Sequence, residues 1–138
     1  MHSTLSLSEH LPLFVYGTLR PGGSNFARFL QEHAKRIQSA SVSGQIYWHV
    51  EGDYPYLVNG PGRVTGHLIE IDPEVWPNLL AEIDRLEDYD MQNEAESWYV
   101  RRRITATLAN GQRQTCWTYF WNRRCSGRLI EHGDWLKR

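Results

Sequence analysis

Residues 11–16 (LPLFVY) form a short, nearly unbroken apolar run, the pattern of a strand buried on both faces. The run opens into Gly17-Thr18-Leu19-Arg20-Pro21-Gly22-Gly23, a loop crowded with residues that stop regular structure. Ser24 or Asn25 then stands ready to cap a short helix over residues 26–33, with Phe26, Phe29 and Leu30 on one face. Strand-like patterning returns over residues 37–48, interrupted at Gly44. Gly52-Asp53-Tyr54-Pro55 reads as a turn, residues 56–58 as a short strand, residues 59–62 (NGPG) as a second turn, and residues 64–71 as another strand. Asp72-Pro73 predicts a helix start, with a capping carboxylate and a proline at the first helical position. That helix should run to about Glu87, its first turn distorted by Pro77. Residues 98–108 and 112–121 pair as a hairpin around Asn110-Gly111, and a basic tail, 123–138, carries Trp135-Leu136 as a packing anchor. Strands dominate, so the pattern predicts an α+β fold on a mixed sheet or small barrel, one domain over residues 1–138 with residues 1–10 as a flexible lead-in.

Composition narrows the classes. The chain has 138 residues, 41% of them hydrophobic, 22% charged and 12% aromatic, which excludes a disordered chain, a coiled coil and a collagen-like repeat. No apolar run approaches the ~20 residues of a membrane span. Residues 1–11 lack the basic and apolar regions of a secretory leader, and the expectation is a cytoplasmic protein. A formal net charge of -1 speaks against a dedicated nucleic-acid binder. The charge is unevenly spread: seven acids and one base between Glu82 and Glu96, then nine bases and two acids from Ser97 onwards. Cys116 and Cys125 lack CxxC spacing and with His132 make at most a partial metal site, so idle thiols in a reducing compartment are expected.

One residue of the predicted helix is misplaced for a purely structural role. At about 100° per residue, Trp76, Leu79, Leu80, Ile83 and Leu86 form an apolar stripe, and Glu87 falls on it. Glu82, Arg85 and Asp88 point elsewhere. Burial and the negative end of the helix dipole both disfavour a carboxylate at Glu87 and raise its pKa, as acid–base catalysis near neutrality requires. The alternative is a helix that frays early and leaves Glu87 in solvent.

Tyr16-Gly17-Thr18-Leu19 is the second candidate. Where a buried strand opens into a loop, successive backbone N–H groups freed from pairing can converge on a negatively charged oxygen, and Gly17 lets a ligand come close. The alternative is a strand-to-helix connection that binds nothing. Neither GxGxxG nor GxxxxGK[ST] occurs. Ser24 and Thr18 lack a histidine in a triad arrangement. Arg101-Arg102-Arg103 alternates faces along its strand. With Trp98, Trp117 and Trp121 it suggests either a platform for single-stranded nucleic acid or a solvated face beside a tryptophan-rich core. Tyr99 opens that strand and is placed to face the same pocket as Glu87.

These segments resemble, in order, those of the gamma-glutamylcyclotransferase-like family, which includes gamma-glutamylamine cyclotransferase and the plant AIG2-like proteins. Phe14-Val15-Tyr16-Gly17-Thr18-Leu19 followed by Pro21-Gly22 is similar to the family's YGxL signature. Gly52-Asp53-Tyr54-Pro55-Tyr56-Leu57-Val58 and Val64-Thr65-Gly66-His67-Leu68 follow in family order, then Ile83-Asp84-Arg85-Leu86-Glu87-Asp88-Tyr89, like "LDxLEGY", and Trp98-Tyr99-Val100-Arg101-Arg102, like "YxR". The resemblance spans roughly residues 13–121. It implies a small mixed β-barrel with peripheral helices, Glu87 as catalytic acid–base, and a substrate pocket lined by Tyr16, Gly17, Thr18 and Leu19. The implied reaction releases 5-oxoproline and a free amine from a small gamma-glutamyl substrate, without cofactor, metal, nucleic acid or membrane, in a monomer or homodimer. A ligand-binding member without catalysis is the alternative. One departure stands out: Asp88 replaces the glycine after the glutamate, and its charge is expected to raise Glu87's pKa further. The acidic loop 90–97, longer than in some members, is placed to form part of a lid.

Overall fold

The structure, a computed structural model, describes residues 6–138. Strand β1 (Leu13–Val15) leads into a tight helical turn, Phe26–Leu30, followed by two long strands, β2 (Ala34–His49) and β3 (Tyr54–Ile71). Helix α1 (Trp76–Leu86) comes next, then the hairpin β4 (Tyr99–Leu108) and β5 (Arg113–Trp121), and finally the short β6 (Arg128–Ile130). Pairing runs from β1 to β3, β2, β4 and β5 and back to β1, where Leu13 meets Trp117 in parallel register. The result is a closed five-stranded mixed barrel, with β6 added outside on β2.

Alternation along each strand divides the core. Phe14, Val42, Val64, Leu68, Ala106 and Cys116 belong to one apolar cluster. Leu13, Val15, Ile69, Ile71 and Trp117 face the other way, into a second cluster closed by Trp76, Leu79, Leu80 and Ile83 of α1. Strand β1 is therefore buried on both faces, as its unbroken apolar run predicts. It is also short, and beyond its end β3 pairs directly with β5 at Leu57 and Phe120. The chain leaves the barrel at Tyr16, and the loop that follows lies over this opening.

Several local expectations need correction. The helix begins at Trp76 rather than Asp72: Asp72 Oδ1 accepts from the Glu74 N–H at 3.0 Å in a turn of its own. Pro77 does not distort the helix, because it sits in the first turn, where its missing N–H has no partner to lose. Residues 59–62 do not reverse the chain, but form an exposed wide bulge inside β3 opposite the break between Ser43 and Gln45. The reversal between β2 and β3 is at residues 50–53, where Asp53 takes a φ of 55°. Asn25 makes no side-chain cap and instead donates to Thr18 Oγ1 at 2.7 Å. Of the lead-in, residues 1–5 lie outside the described residues. Residues 6–10 are tied to the domain, with Ser8 and Glu9 carbonyls accepting from the indoles of Trp76 and Trp117.

Gly66 of β3 lies close against the end of β1, its antiparallel neighbour. A Cβ there would stand 2.2 Å from the Val15 carbonyl oxygen and 2.7 Å from Phe14 Cζ. Gly66→Ala is therefore expected to destabilise the fold by about 1–3 kcal/mol, by forcing β1 off β3. A urea midpoint lowered accordingly, at unchanged slope, checks this.

Candidate active site

A cavity of about 280 Å³ opens between the end of β1, the carboxyl end of α1 and the start of β4. Tyr16, Gly17, Thr18, Leu19, Glu87 and Tyr99 all line it, so the structure brings every residue singled out in the sequence to one place. Tyr54, Pro55, Trp98, Tyr119 and Trp121 share the wall, and these the sequence reading had assigned to a turn, a strand, or a tryptophan-rich core or nucleic-acid platform.

Helix α1 ends at this cavity for a definite reason. Glu87 is its C-cap, the Asp88 N–H donates to the Arg85 carbonyl at 3.1 Å, and the Tyr89 N–H donates to the Asp84 carbonyl at 2.8 Å. That pair of bonds is a Schellman closure, which demands a left-handed residue after the cap. Asp88 fills the position with a φ of 54°. This explains why the family pattern has glycine here and why aspartate, among the side chains that best tolerate such angles, can replace it.

The Glu87 carboxyl is half-buried, and it makes no hydrogen bond or ion pair among the described residues. Burial pushes its pKa up to about 7, with the Asp84 carboxylate as the second cause. The repulsion thus comes from one turn back along the helix, not from Asp88 as the sequence suggested. Three tyrosines surround the carboxyl, and each hydroxyl is already committed. Tyr16 donates to the Tyr119 carbonyl at 2.8 Å, Tyr99 to the Pro55 carbonyl at 3.0 Å, and Tyr119 to Asp84 Oδ1 at 2.5 Å. Burial raises the pKa of all three. They shape an apolar wall and leave Glu87 as the group able to take up or release a proton near neutrality.

Asp84 was missed, although, four residues after Leu80 and three before Glu87, it borders the same stripe. It accepts a two-pronged contact from the fully buried Arg101, Nε to Oδ1 at 2.9 Å and Nη2 to Oδ2 at 3.1 Å. Arg101 and Arg103 both lie over the Trp117 ring, each 4.5 Å from its centroid. Arg102, on the other face of the strand, pairs with Glu94 at 2.8 Å. The basic run of β4 is thereby engaged within the domain, which removes the argument for a nucleic-acid platform there. Cys116 is likewise inert, since burial pushes its thiol up to about 12. Leu86 departs from the apolar stripe and stands 37% exposed at the cavity's edge.

Opposite Glu87, the loop after β1 folds into a turn closed by the Arg20 N–H on the Gly17 carbonyl at 3.0 Å. The Phe26 N–H and the Asn25 amide hold Thr18 through its carbonyl and its hydroxyl. The N–H groups of Gly17, Thr18 and Leu19 themselves donate to nothing among the described residues. Three successive free donors at the wall of a cavity are the kind of group that can receive a negatively charged oxygen, here called the cradle. A Cβ on Gly17 would meet Pro55 Cγ at 2.7 Å, so this glycine is required by its neighbour across the cavity as well as by access to the loop.

The sequence profile of the family described as Gamma-glutamyl cyclotransferase, AIG2-like matches residues 13–137. The chain belongs to that family. A Vibrio cholerae relative carrying the family's name is 33% identical over 131 residues, covering 94% of this chain and 98% of the relative. The gamma-L-glutamyl-butirosin B gamma-glutamyl cyclotransferase of Niallia circulans is 32% identical over 111 residues, 80% of this chain and 67% of the relative. Among solved structures, an AIG2-like protein from Mus musculus superposes with a TM-score of 0.70 at 24% identity, covering 90% of this chain and 86% of that one, and so shares its fold.

The raised pKa of Glu87 has a consequence for stability. Its native value of about 7 lies above the ordinary 4.5, so the native state holds the proton more tightly than the unfolded chain does. Stability from this group is complete below about pH 4.5 and is lost as pH rises through about 7. The full shift corresponds to at most roughly 3 kcal/mol, less because the carboxyl meets solvent through the mouth. Relative to Glu87→Gln, the wild-type protein should therefore lose about 1–3 kcal/mol between pH 4 and pH 8. Urea denaturation of both proteins at the two pH values measures this.

Proposed function

We propose that this protein is a gamma-glutamylcyclotransferase in which Glu87 is the general acid–base and the Gly17–Leu19 backbone binds the substrate's oxygens. The observation that carries this reading is an unpaired carboxyl, titrating near 7, that shares a small cavity with three unpaired backbone donors. The substrate brings its own nucleophile. Its α-nitrogen forms a bond to the γ-carbonyl carbon, the bond from that carbon to the leaving nitrogen breaks, and 5-oxoproline and the free amine separate. Two protons leave the α-nitrogen overall and the released amine gains two, so the reaction balances without a co-reactant.

Ring closure is intramolecular, and a cavity that folds the glutamyl chain supplies the proximity. Glu87 as carboxylate takes the ammonium proton and exposes the nitrogen lone pair. As carboxylic acid it then protonates the departing nitrogen, and a pKa near 7 suits it to both tasks. The free N–H groups of Gly17, Thr18 and Leu19 stabilise negative oxygen, including the oxyanion formed as the γ-carbonyl is attacked. The apolar walls keep water away from the tetrahedral intermediate. The gamma-glutamylamine branch is favoured by Tyr54-Pro55-Tyr56-Leu57-Val58, whose first two residues line the cavity.

Glu87→Gln keeps shape but carries no proton, and turnover should fall by about 10²–10⁴-fold with substrate binding nearly unchanged. Assay of 5-oxoproline formation from a panel of gamma-glutamyl compounds, with binding measured by calorimetry on the same variant, tests this. Retained turnover would remove Glu87 from the chemistry, and binding without turnover by the wild type would favour the non-catalytic alternative. In the wild type, kcat/KM should rise with pH through an apparent pKa of about 7, the limb contributed by Glu87.

A further inference from the structure

The loop that carries the cradle cannot be held by the N–H groups of Gly17, Thr18 and Leu19, because those are the donors left free. Carbonyls and side chains hold it instead. The Gly17 and Thr18 carbonyls accept from the Arg20 and Phe26 N–H groups, at 3.0 and 3.1 Å. The remaining hold is the side chain of Arg20, which is only 5% exposed. Its Nη1 donates to Asp134 Oδ1 at 2.8 Å, and its Nε donates to His67 Nδ1 at 3.1 Å. A guanidinium only donates, so His67 presents a bare Nδ1 and is neutral. Burial first, and then the Arg20 charge, lower the pKa of that imidazole.

Both partners are themselves fixed. His67 lies in β3 opposite Val15, the last residue of β1. Asp134 Oδ1 also accepts from the Leu136 N–H at 3.0 Å. On either side of Asp134, the Gly133 carbonyl accepts from the Thr65 N–H at 2.9 Å, and Trp135 is buried in the cluster of Phe14 and Val42. One buried guanidinium thus joins the cradle loop, β3 and the last residues of the barrel. Arg20, His67 and Asp134 do not line the cavity, so they act on the site only through the loop.

Resting on the catalytic reading above, we propose that Arg20 is a positioning residue, anchored by Asp134 and His67, that keeps the Gly17–Leu19 donors stationary where the oxyanion develops. Donors stabilise a transition state strongly when they need not reorganise as the charge appears. Without its carboxylate, the guanidinium is an uncompensated buried charge one residue beyond Leu19, and the loop must shift to bring it to water.

The test is 5-oxoproline formation by the wild type, Asp134→Asn, Arg20→Lys, Arg20→Gln and the double variant Asp134→Asn/Arg20→Gln. Each is assayed on the fastest substrate of the gamma-glutamyl panel, under conditions where urea curves show it folded. In Asp134→Asn kcat should fall about tenfold, and in Arg20→Gln about 10–100-fold, with KM changed by less than about threefold. Arg20→Lys keeps a charge opposite Asp134 and should recover part of the loss. The double variant should be no slower than Arg20→Gln, because both changes remove one contact. The pH limb near 7 should stay in place, since Glu87 is untouched. A role in stability alone would lower the urea midpoint and leave kcat of the folded protein at the wild-type value. If Arg20→Gln does not fold, Asp134→Asn decides by itself. A kcat within about twofold of wild type in the folded variants, losses that multiply in the double variant, or a displaced pH limb overturns the inference and leaves the cyclotransferase reading intact. Absence of 5-oxoproline with the wild type overturns that reading and the inference with it.

Discussion

Asp84 and Arg101 meet inside the domain, one from the helix and one from β4, and the placement of Glu87 depends on that contact. The guanidinium is fully buried, so the pair is desolvated, and each partner alone would be an uncompensated internal charge costing about 3–5 kcal/mol. Tyr119 adds its hydroxyl to the same carboxylate, and Trp117 covers the guanidinium. The carboxyl end of α1 is thereby clamped to the β4–β5 hairpin. Glu87, three residues beyond Asp84, arrives at the cavity in a fixed position. The same anion adds to the burial that raises the pKa of Glu87, so one contact fixes where the carboxyl stands and contributes to when it ionises.

The two halves of the site are positioned by different means. Glu87 is held by a helix end and a buried ion pair. The cradle is held by the shortness of β1: pairing stops at Val15, β3 and β5 close behind it, and the chain turns away with its donors unspent. Both halves are held by contacts within the chain. That preorganisation suits the proposed intramolecular reaction, in which the substrate would supply the nucleophile and the protein a folded conformer, a proton carrier and stationary donors. The aromatic mouth is open by comparison, with Trp98 46% exposed.

Much of this was readable along the chain. The unbroken apolar run of residues 11–16 gave the doubly buried strand, Asn110-Gly111 gave the hairpin, and the 3.6-residue stripe through Ile83 marked Glu87 as an acid out of place. Family resemblance carried the same residue by an independent route. The helix start was misread because Asp72-Pro73 has the composition of a cap, whereas the actual geometry lets Asp72 close a separate turn and leaves Pro77 in the first helical turn. Residues 59–62 were misread because NGPG has turn composition, yet opposite the Ser43–Gln45 break the same residues can only bulge. Asp84 borders Glu87's stripe, but nothing along the chain says that it is buried or which cation answers it.

By itself, then, the sequence determined what depends on spacing within one element: which strands form, which face of α1 is apolar, and which carboxyl lies on that face. Only the tertiary structure decided what depends on elements far apart in the chain. Arg101 meets Asp84, Gly17 meets Pro55, and Trp98, Trp121 and Tyr54 gather at one mouth because barrel closure brings β1, β3, β4, β5 and the end of α1 together. The pKa of Glu87 belongs to this second class. A helical pattern can place a carboxyl on an apolar face, but how far it is desolvated, and which charge stands beside it, is fixed by what packs against that face.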